Sequence, residues 1–562
     1  VGKKLNLKWV SDAIGEDYKK WKKGDVVKIQ AQTGTGKTYF ITGGKDTEGL
    51  VDRLKDWERM IYICNRTELK RQIKLDLLKK FNLEIPYLKD NDGNFILNKN
   101  KQKQLDTDTL DDTTVINNNI LITSYHAISE GKLDKIFLNG SSNFDDFDYI
   151  ICDECHFFMS DSGFNNKSYL ALDELVKTRH RNAIKIFISA TMYEVEGIIE
   201  AQVKKHKESG FGTYSHFTMH PPYTTGIDYS YLDVSYFSKI KDMIQIIKND
   251  KSDEKWIIFV ISKENGEYIN SELKKVNINS VFIHAKTSNK ERKNITEQCK
   301  FTSKVLICTK CLDNGINIKD SSVKNIIVMA YDKTTFIQEL GRKRIDITNA
   351  QSVKLYIPML YKKTFTGKIT DNYDPKIADV ELFKNIDEFK RKYNNNPKKL
   401  PEDIFYLDKN NDYKINDLGL GRVYRDKAFA ITMIEGFGNY DKFTFVKEQL
   451  NWLGLEQTFD KFKLVENIAD DNEVQMLENW LEEHLGEKLF KEQQQEISDL
   501  IINELTTISK DTDYRTKMLK PATLENLLRI QLELPYAVSE PKPETKGEMR
   551  NKRYVTITKI NS

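Results

Sequence analysis

The run Ala31-Gln32-Thr33-Gly34-Thr35-Gly36-Lys37-Thr38 decides how the rest of this chain is read. It follows Val26-Val27-Lys28-Ile29, which reads as a short buried strand, and leads into Tyr39-Phe40-Ile41, which opens a helix. Strand, glycine-bearing loop ending in Gly-Lys-Thr, then helix is the arrangement that cradles phosphates. Gly34 and Gly36 let the backbone turn its N–H groups toward phosphate oxygens, where side chains would block the approach. Lys37 supplies a point charge for the β- and γ-phosphates, and the Thr38 hydroxyl is a ligand for Mg²⁺. Gln32, Thr33 and Thr35 complete the set of residues expected around the nucleotide. The expected ligand is ATP with Mg²⁺.

A second site gives the nucleotide a task. Phe147-Asp148-Tyr149-Ile150-Ile151-Cys152-Asp153-Glu154-Cys155-His156 is an apolar strand ending in two adjacent carboxylates and a histidine. Such a strand places Asp153 at the carboxyl edge of a parallel sheet, beside the phosphate loop, where ligands bind in these folds. Asp153 is expected to hold Mg²⁺ through water, and Glu154 to orient and deprotonate the attacking water.

Asp153-Glu154-Cys155-His156 resembles the DExH signature of superfamily 2 helicases, and seven such elements keep the family's order over about residues 20 to 360. Asn65-Arg66-Thr67 and Thr123-Ser124 resemble two contacts to the nucleic-acid backbone. Ser189-Ala190-Thr191 resembles the element linking hydrolysis to domain movement. Trp256 to Val260 followed by Ser262 resembles the first strand and contact of the second core domain. Val305 to Asn317 matches the strand and loop touching both nucleic acid, through Thr309, and ATP, through Gly315 and Asn317. Gln338-Glu339-Leu340-Gly341-Arg342 matches the Gln-x-x-Gly-Arg element. The resemblance implies the α/β class, with two tandem RecA-like parallel-sheet domains and a mostly α-helical C-terminal accessory region. It also implies catalytic roles for Glu154, His156, Gln338 and Arg342.

One departure stands out. The family's second arginine would fall at position 345, which is Ile345, while Arg344 lies one residue early. A complete arginine finger is worth about 10³–10⁵ in rate. On a helix a one-residue shift turns a side chain by about 100°. Arg344 is therefore either a displaced second finger or a solvent-facing arginine.

Composition fits an intracellular machine. The chain has 562 residues, 39% hydrophobic and 30% charged, so three or four domains are expected, and no apolar run approaches a membrane span. A cytoplasmic location is the expectation. Net charge is only +3, so a bound strand must be held by local basic clusters. Cys152-x-x-Cys155 and Cys308-x-x-Cys311 have zinc-like spacing, but each pair lies inside an element already explained, on domains that must move apart. All six cysteines are read as reduced thiols. Asp408 to Asn416 echoes a calcium loop but lacks its turn glycine and its final glutamate, and reads as a polar surface turn.

The motifs divide the chain into 1–228 and 229–360 for the two RecA-like domains, 361–490 for a helical accessory domain, and 491–562 for a possible winged-helix-like module. Lys89 to Asn119 is polar and reads as a protruding hairpin or loop, and Gly210 to Thr225 as the hinge. The basic stretch Met549 to Lys559 alternates like a strand, and either touches phosphates or pairs within its own domain. Taken together these readings point to an ATP-dependent nucleic-acid helicase or translocase. DNA is preferred over RNA by analogy, because the C-terminal region carries no RNA-binding signature. The alternatives are a DExH RNA remodeller and an ATP-switched sensor or loading subunit that does not unwind. No PD-x-E-x-K series is present, so cleavage would need a nuclease partner; a replication partner is also possible.

Overall fold

The computed structural model describes residues 2–560 apart from 45–46, 66, 98–100, 131–146, 162–167, 177–181, 209–217, 285–294, 296–297, 310–316, 395–396, 409, 439–441, 466–475, 506–517, 533 and 548. The apolar runs of the first third become β1 (Val26–Gln30), β2 (Met60–Ile63), β3 (Val115–Ile116), β4 (Ile120–Thr123), β5 (Tyr149–Asp153), β6 (Ile184–Ser189) and β7 (Tyr223–Thr224). They form one sheet in the order β3-β4-β2-β5-β6-β1-β7, parallel except where β3 meets β4. Side chains alternate across a strand, so each run feeds two cores. Ile61 and Ile63 pack with Cys152 and Phe187 on one face, while Met60 and Tyr62 pack with Ile151 and Ile186 on the other. Burial on both faces is why these strands read as unbroken apolar runs.

A second sheet repeats the plan. It contains β8 (Leu232–Phe237), β9 (Lys255–Phe259), β10 (Ser280–Ile283), β11 (Val305–Cys308), β12 (Val323–Val328) and β13 (Val353–Pro358), all parallel, in the order β10-β11-β9-β12-β13-β8. The chain is thus two tandem RecA-like domains with a helical C-terminal region. Four helices bear on the cleft and its support: α1 (Lys37–Thr42), α2 (Lys333–Leu340), α3 (Asp417–Phe437) and α4 (Thr444–Leu453).

The accessory helices have no separate core. Phe365, Phe389, Met433, Phe437, Phe445 and Trp452 share one cluster with Ile257, Phe259, Leu306 and Leu355 of the second sheet. A further cluster runs from Leu477 to Ile557 and includes the helix Met476–Glu483, which the sequence pattern groups instead with the residues before it. The basic stretch near the C-terminus forms two hairpin arms, Arg553–Tyr554 against Lys542–Pro543 and Ile557–Lys559 against Tyr536–Val538.

Only part of Lys89 to Asn119 protrudes. The bridges Tyr87↔Leu105, Lys89↔Phe95 and Leu97↔Lys103 make a small meander, whereas Thr107–Asp112 is a helix with Leu110 buried, and Ile116 joins the sheet. The meander comes after the helix Thr67–Lys80, which runs back from the carboxyl edge of β2. It therefore hangs from the sheet edge opposite the motif loops. In the expected hinge, residues 209–217 lie outside the described residues and Tyr223–Thr224 joins the first sheet, so residues 225–231 make the crossing. The amino-terminal segment crosses too: Leu5 N–H donates to Ile347 O at 2.9 Å, and Val10 N–H donates to Thr35 O at 3.0 Å.

Candidate active site

The first wall of the cleft grows out of β1. After Gln30 the backbone turns over with Gly34 at φ 92° and Gly36 at φ 83°, a region open to glycine at little steric cost. Thr35 Oγ1 donates to Gln32 O at 2.7 Å and closes the loop, and α1 starts on Lys37. The Gln32 side chain is committed elsewhere than the nucleotide: Nε2 donates to Asp228 O at 3.0 Å, and Oε1 accepts from Asp228 N–H at 2.8 Å. Gln32 thus fastens the phosphate loop to the interdomain crossing.

Facing the loop, β5 delivers the two carboxylates. Lys37 Nζ donates to Glu154 Oε1 at 2.7 Å. Tyr62 OH donates to Asp153 Oδ2, the Glu154 N–H donates to Asp153 Oδ1 at 2.9 Å, and Tyr125 OH donates to the Asp153 carbonyl at 2.9 Å. Neither tyrosine stands out in the sequence; the signal available for Tyr62 is a hydroxyl inside an otherwise apolar strand. Glu154 sits at φ 50°, a conformation that costs a non-glycine residue about 1–3 kcal/mol and is found where function requires it. Burial and then the Glu154 charge raise the Asp153 pKa. Burial works on Glu154 in the same sense, but Lys37 and His156 outweigh it and hold that carboxyl well below the usual range.

Its other oxygen is left for a ligand. Glu154 Oε2 lies 3.3 Å from His156 Nδ1 without the alignment of a hydrogen bond, and is buried without a hydrogen-bond partner among the described residues. His156 Nδ1 also stands 3.2 Å from Ser189 Oγ, and Ser189 Oγ 3.2 Å from Thr191 Oγ1. The histidine thus joins the carboxylate motif to the Ser-Ala-Thr element. Among the described residues no group of three or more His, Cys, Asp or Glu is placed to hold a metal alone. That donor set suits Mg²⁺, which keeps several waters and takes phosphate oxygens beside one or two protein ligands. Asp153 and the Thr38 hydroxyl fit as those ligands.

The second wall is α2 together with the chain from Gly341 to Arg344. Gly341 rests on the phosphate loop so closely that a Cβ there would stand 2.5 Å from Thr33 Oγ1. Gln338 is buried, and its Nε2 has no acceptor among the described residues. Arg342 Nη2 donates to Gln338 Oε1 at 3.2 Å. Arg344 does not sit on a helix, contrary to the expectation, because α2 ends at Leu340. Lys343 bridges Ile318, and Arg344 N–H donates to Ile318 O at 2.9 Å. Arg344 Nε donates to Asn317 Oδ1 at 2.7 Å. Burial first, and then Arg342, pull the Arg344 pKa down to about 10, against the opposing pull of Glu154 and Asp153. Gly315 lies outside the described residues.

The expected strand contacts lie at the carboxyl edges of both sheets. Asn65 Nδ2 donates to Asp161 Oδ2 at 2.5 Å while its Oδ1 is buried without a partner among the described residues, and Thr67 opens a helix. Thr123 is buried at the end of β4. Ser124 and Ser262 each cap a helix, accepting from Ala127 N–H at 3.2 Å and from Asn265 N–H at 3.1 Å. Thr309 N–H donates to Ile283 O at 3.3 Å just beyond β11. Arg66 lies outside the described residues. No helix among the described residues is long and apolar enough to cross a membrane.

Two protein families match this chain. The family described as "Type III restriction enzyme, res subunit" matches residues 7–194, and "Helicase conserved C-terminal domain" matches residues 238–345. The pre-mRNA-processing ATP-dependent RNA helicase PRP5 of Candida glabrata is 24% identical over 161 residues, which are 28% of this chain and 20% of that protein. The chain thus spans about a fifth of that curated relative. Among solved structures, Dbp5 of S. cerevisiae bound to RNA and ADP BeF3 is 17% identical, with a TM-score of 0.40, over 60% of this chain and 79% of that one. The helicase Lhr of Mycobacterium smegmatis bound to ssDNA and AMP-PNP is 13% identical, with a TM-score of 0.39, over 74% of this chain and 59% of that one.

Proposed function

The chain belongs to superfamily 2 of the helicases, and on that premise we propose that it hydrolyses ATP between its two RecA-like domains to move along, or open, a nucleic-acid strand lying across both. The observation that carries this reading is the meeting of the two walls. Gly341 lies against Thr33 of the phosphate loop, which brings the segment carrying Arg342 and Arg344 up to the other domain.

In this reading the loop N–H groups and Lys37 bind the triphosphate, and an incoming γ-phosphate takes Lys37 from Glu154. Glu154 Oε2 accepts a hydrogen bond from the attacking water and then its proton. Arg342 and Arg344, steered by Gln338 and Asn317, stabilise the charge that develops on the transferring phosphoryl group. Mg²⁺ held by Thr38 and Asp153 would neutralise phosphate charge. His156 passes the state of Glu154 to Ser189 and Thr191. The strand contacts Asn65, Arg66, Thr67, Thr123, Ser124, Ser262 and Thr309 are divided between the domains, so opening and closing alternates the grip.

DNA is the strand in this reading, because residues 361–562 carry no recognisable RNA-binding motif. The test is ATPase stimulation by single-stranded DNA, duplex DNA and RNA, run beside strand displacement on DNA and RNA duplexes. Stimulation and displacement by DNA are expected. Activity confined to RNA would reassign the substrate, and stimulation with no displacement of any duplex would make the protein an ATP-switched sensor.

A further inference from the structure

Helix α3 carries a single stripe, Leu418, Arg422, Arg425 and Phe429, spaced four, three and four residues apart and so on one face of the helix. That face meets both core domains. Leu418 joins the core of the first domain on the face of its sheet that holds Phe157 and Phe158. Arg422 Nη1 donates to Met159 O at 3.3 Å and also to Ser160 O, both just past the Asp-Glu-Cys-His motif. Arg425 Nη1 donates to Glu194 O at 3.3 Å, and its Nη2 lies 3.5 Å from Glu194 Oε1, three residues past Thr191 of the Ser-Ala-Thr element. Glu194 is nearly buried and pairs with Arg425.

On the other side the contact is apolar. Phe429 packs on Trp452 of α4 with ring centroids 6.1 Å apart, and Trp452 packs on Phe336 of α2 at 5.4 Å. Two residues after Phe336 comes Gln338, with Arg342 further along the same segment. Lys333, at the start of α2, stands 4.3 Å over the ring of Tyr193, next to Glu194. A small cleft bordered by Gln30, Tyr193, Lys333, Ile337 and Trp452 marks where the three parts meet.

The two junctions differ in what breaking them requires. The accessory helices share a core with the second domain, so separating them would expose large aromatic surfaces to water. The seam to the first domain has one buried apolar contact, Leu418, and otherwise guanidinium groups on main-chain carbonyls and one carboxylate, which water can replace. The shared core ties the accessory region to the second domain more firmly than the arginine seam ties it to the first.

We propose that Arg422 and Arg425 are positioning residues for ATP hydrolysis: their seam fixes the second domain, with Arg342 and Arg344 on it, against the segments just after Glu154 and Thr191. This rests on the reading of the chain as an ATPase that works by closing. The residues touch neither nucleotide nor strand; they set how squarely the arginine wall meets the first domain. A misplacement of about 1 Å at such a site costs on the order of 100-fold in rate.

The test measures Arg425→Ala, Glu194→Ala and the double variant against wild type. Expected are a fall in strand-stimulated kcat of about tenfold or more for Arg425→Ala, with KM for ATP unchanged, and a double variant no worse than the single ones, because the pair acts as one unit. Small-angle X-ray scattering of the full chain with ADP·BeF3 and strand provides a readout independent of turnover: wild type contracts and Arg425→Ala contracts less. Wild-type kcat in Arg425→Ala, strictly additive losses in the double variant, or full contraction of Arg425→Ala would each overturn the proposal. A wild-type protein that no nucleic acid stimulates would overturn the ATP-driven strand reading instead. The seam would still be judged on the contraction with ADP·BeF3.

Discussion

The two walls of the nucleotide cleft are built on opposite plans. In the first domain, Thr38, Lys37 and the loop glycines come from one continuous strand-loop-helix, and Tyr62, which donates to the Asp153 carboxylate, comes from the neighbouring strand of the same sheet. In the second, Arg342 and Arg344 are placed by Gln338, by the bridge to Ile318 and by Asn317. Gly341 lets their segment lie against Thr33 of the phosphate loop. The first wall holds the ground state whether or not the cleft is closed. In the proposed reaction the second acts on charge that appears only in the transition state.

The largest effect should come from the first wall. Lys37→Ala removes the cation that pairs with Glu154 and that an incoming γ-phosphate would take, so ATP hydrolysis falls to background in a phosphate-release assay, while strand binding by filter retention persists through contacts elsewhere. Glu154→Gln comes next and separates binding from chemistry. The amide oxygen can still accept from Lys37, so nucleotide binding stays, but the amide cannot take a proton from water and turnover is lost. Hydrolysis within a few-fold of wild type would move the general base elsewhere.

The second wall is tested by Arg342→Ala and Arg344→Ala. Each removes one guanidinium from a two-arginine finger, so kcat should fall about 10³-fold for Arg342 and within an order of magnitude of that for Arg344, with ATP affinity changing little in titrations of a fluorescent analogue. An Arg344 variant close to wild type would mean that its contact with Asn317 is structural, leaving Arg342 as the sole finger.

The same contrast explains what could be read from the chain. The phosphate loop and the Asp-Glu strand end were legible because their geometry is set within about ten residues by glycine, apolar runs and charge. Both sheets were legible for the same reason, as apolar runs buried on two faces. Arg344 was not, because the bridge between Ile318 and Lys343 that ends its helical reading is a tertiary contact. Gln32 looked like a nucleotide ligand, but its amide is taken by Asp228, 196 residues away. Helix α3 was missed altogether. Its inward stripe carries two arginines, which break the apolar period. Gly419, where a Cβ would fall 1.8 Å from Asp403 O, packs closely through a contact set by the fold and not by the local sequence.

The smallest effect expected, and the most specific to closure, is that of Gly341→Ala. Gly341 has φ −67° and ψ −10°, an ordinary right-handed conformation, so alanine leaves the backbone unstrained and each domain should fold as before. The added Cβ would lie 2.5 Å from Thr33 Oγ1, 3.1 Å from Thr33 Cβ and 3.2 Å from Ile337 O. Rotation of the Thr33 side chain relieves the first of these but not the second, so the walls must part by a few tenths of an ångström. That displacement leaves Lys37 and Glu154 in place and moves Arg342 and Arg344 together. The expected result is a loss of about tenfold in kcat with little change in nucleotide affinity, well short of the loss on removing Arg342. Adding Thr33→Ala to Gly341→Ala removes the closest atom and should restore part of the rate, whereas Thr33→Ala alone should not raise it. A Gly341→Ala protein that turns over like wild type would mean that the walls meet elsewhere in the closed state, and that the arginine wall does not depend on this contact.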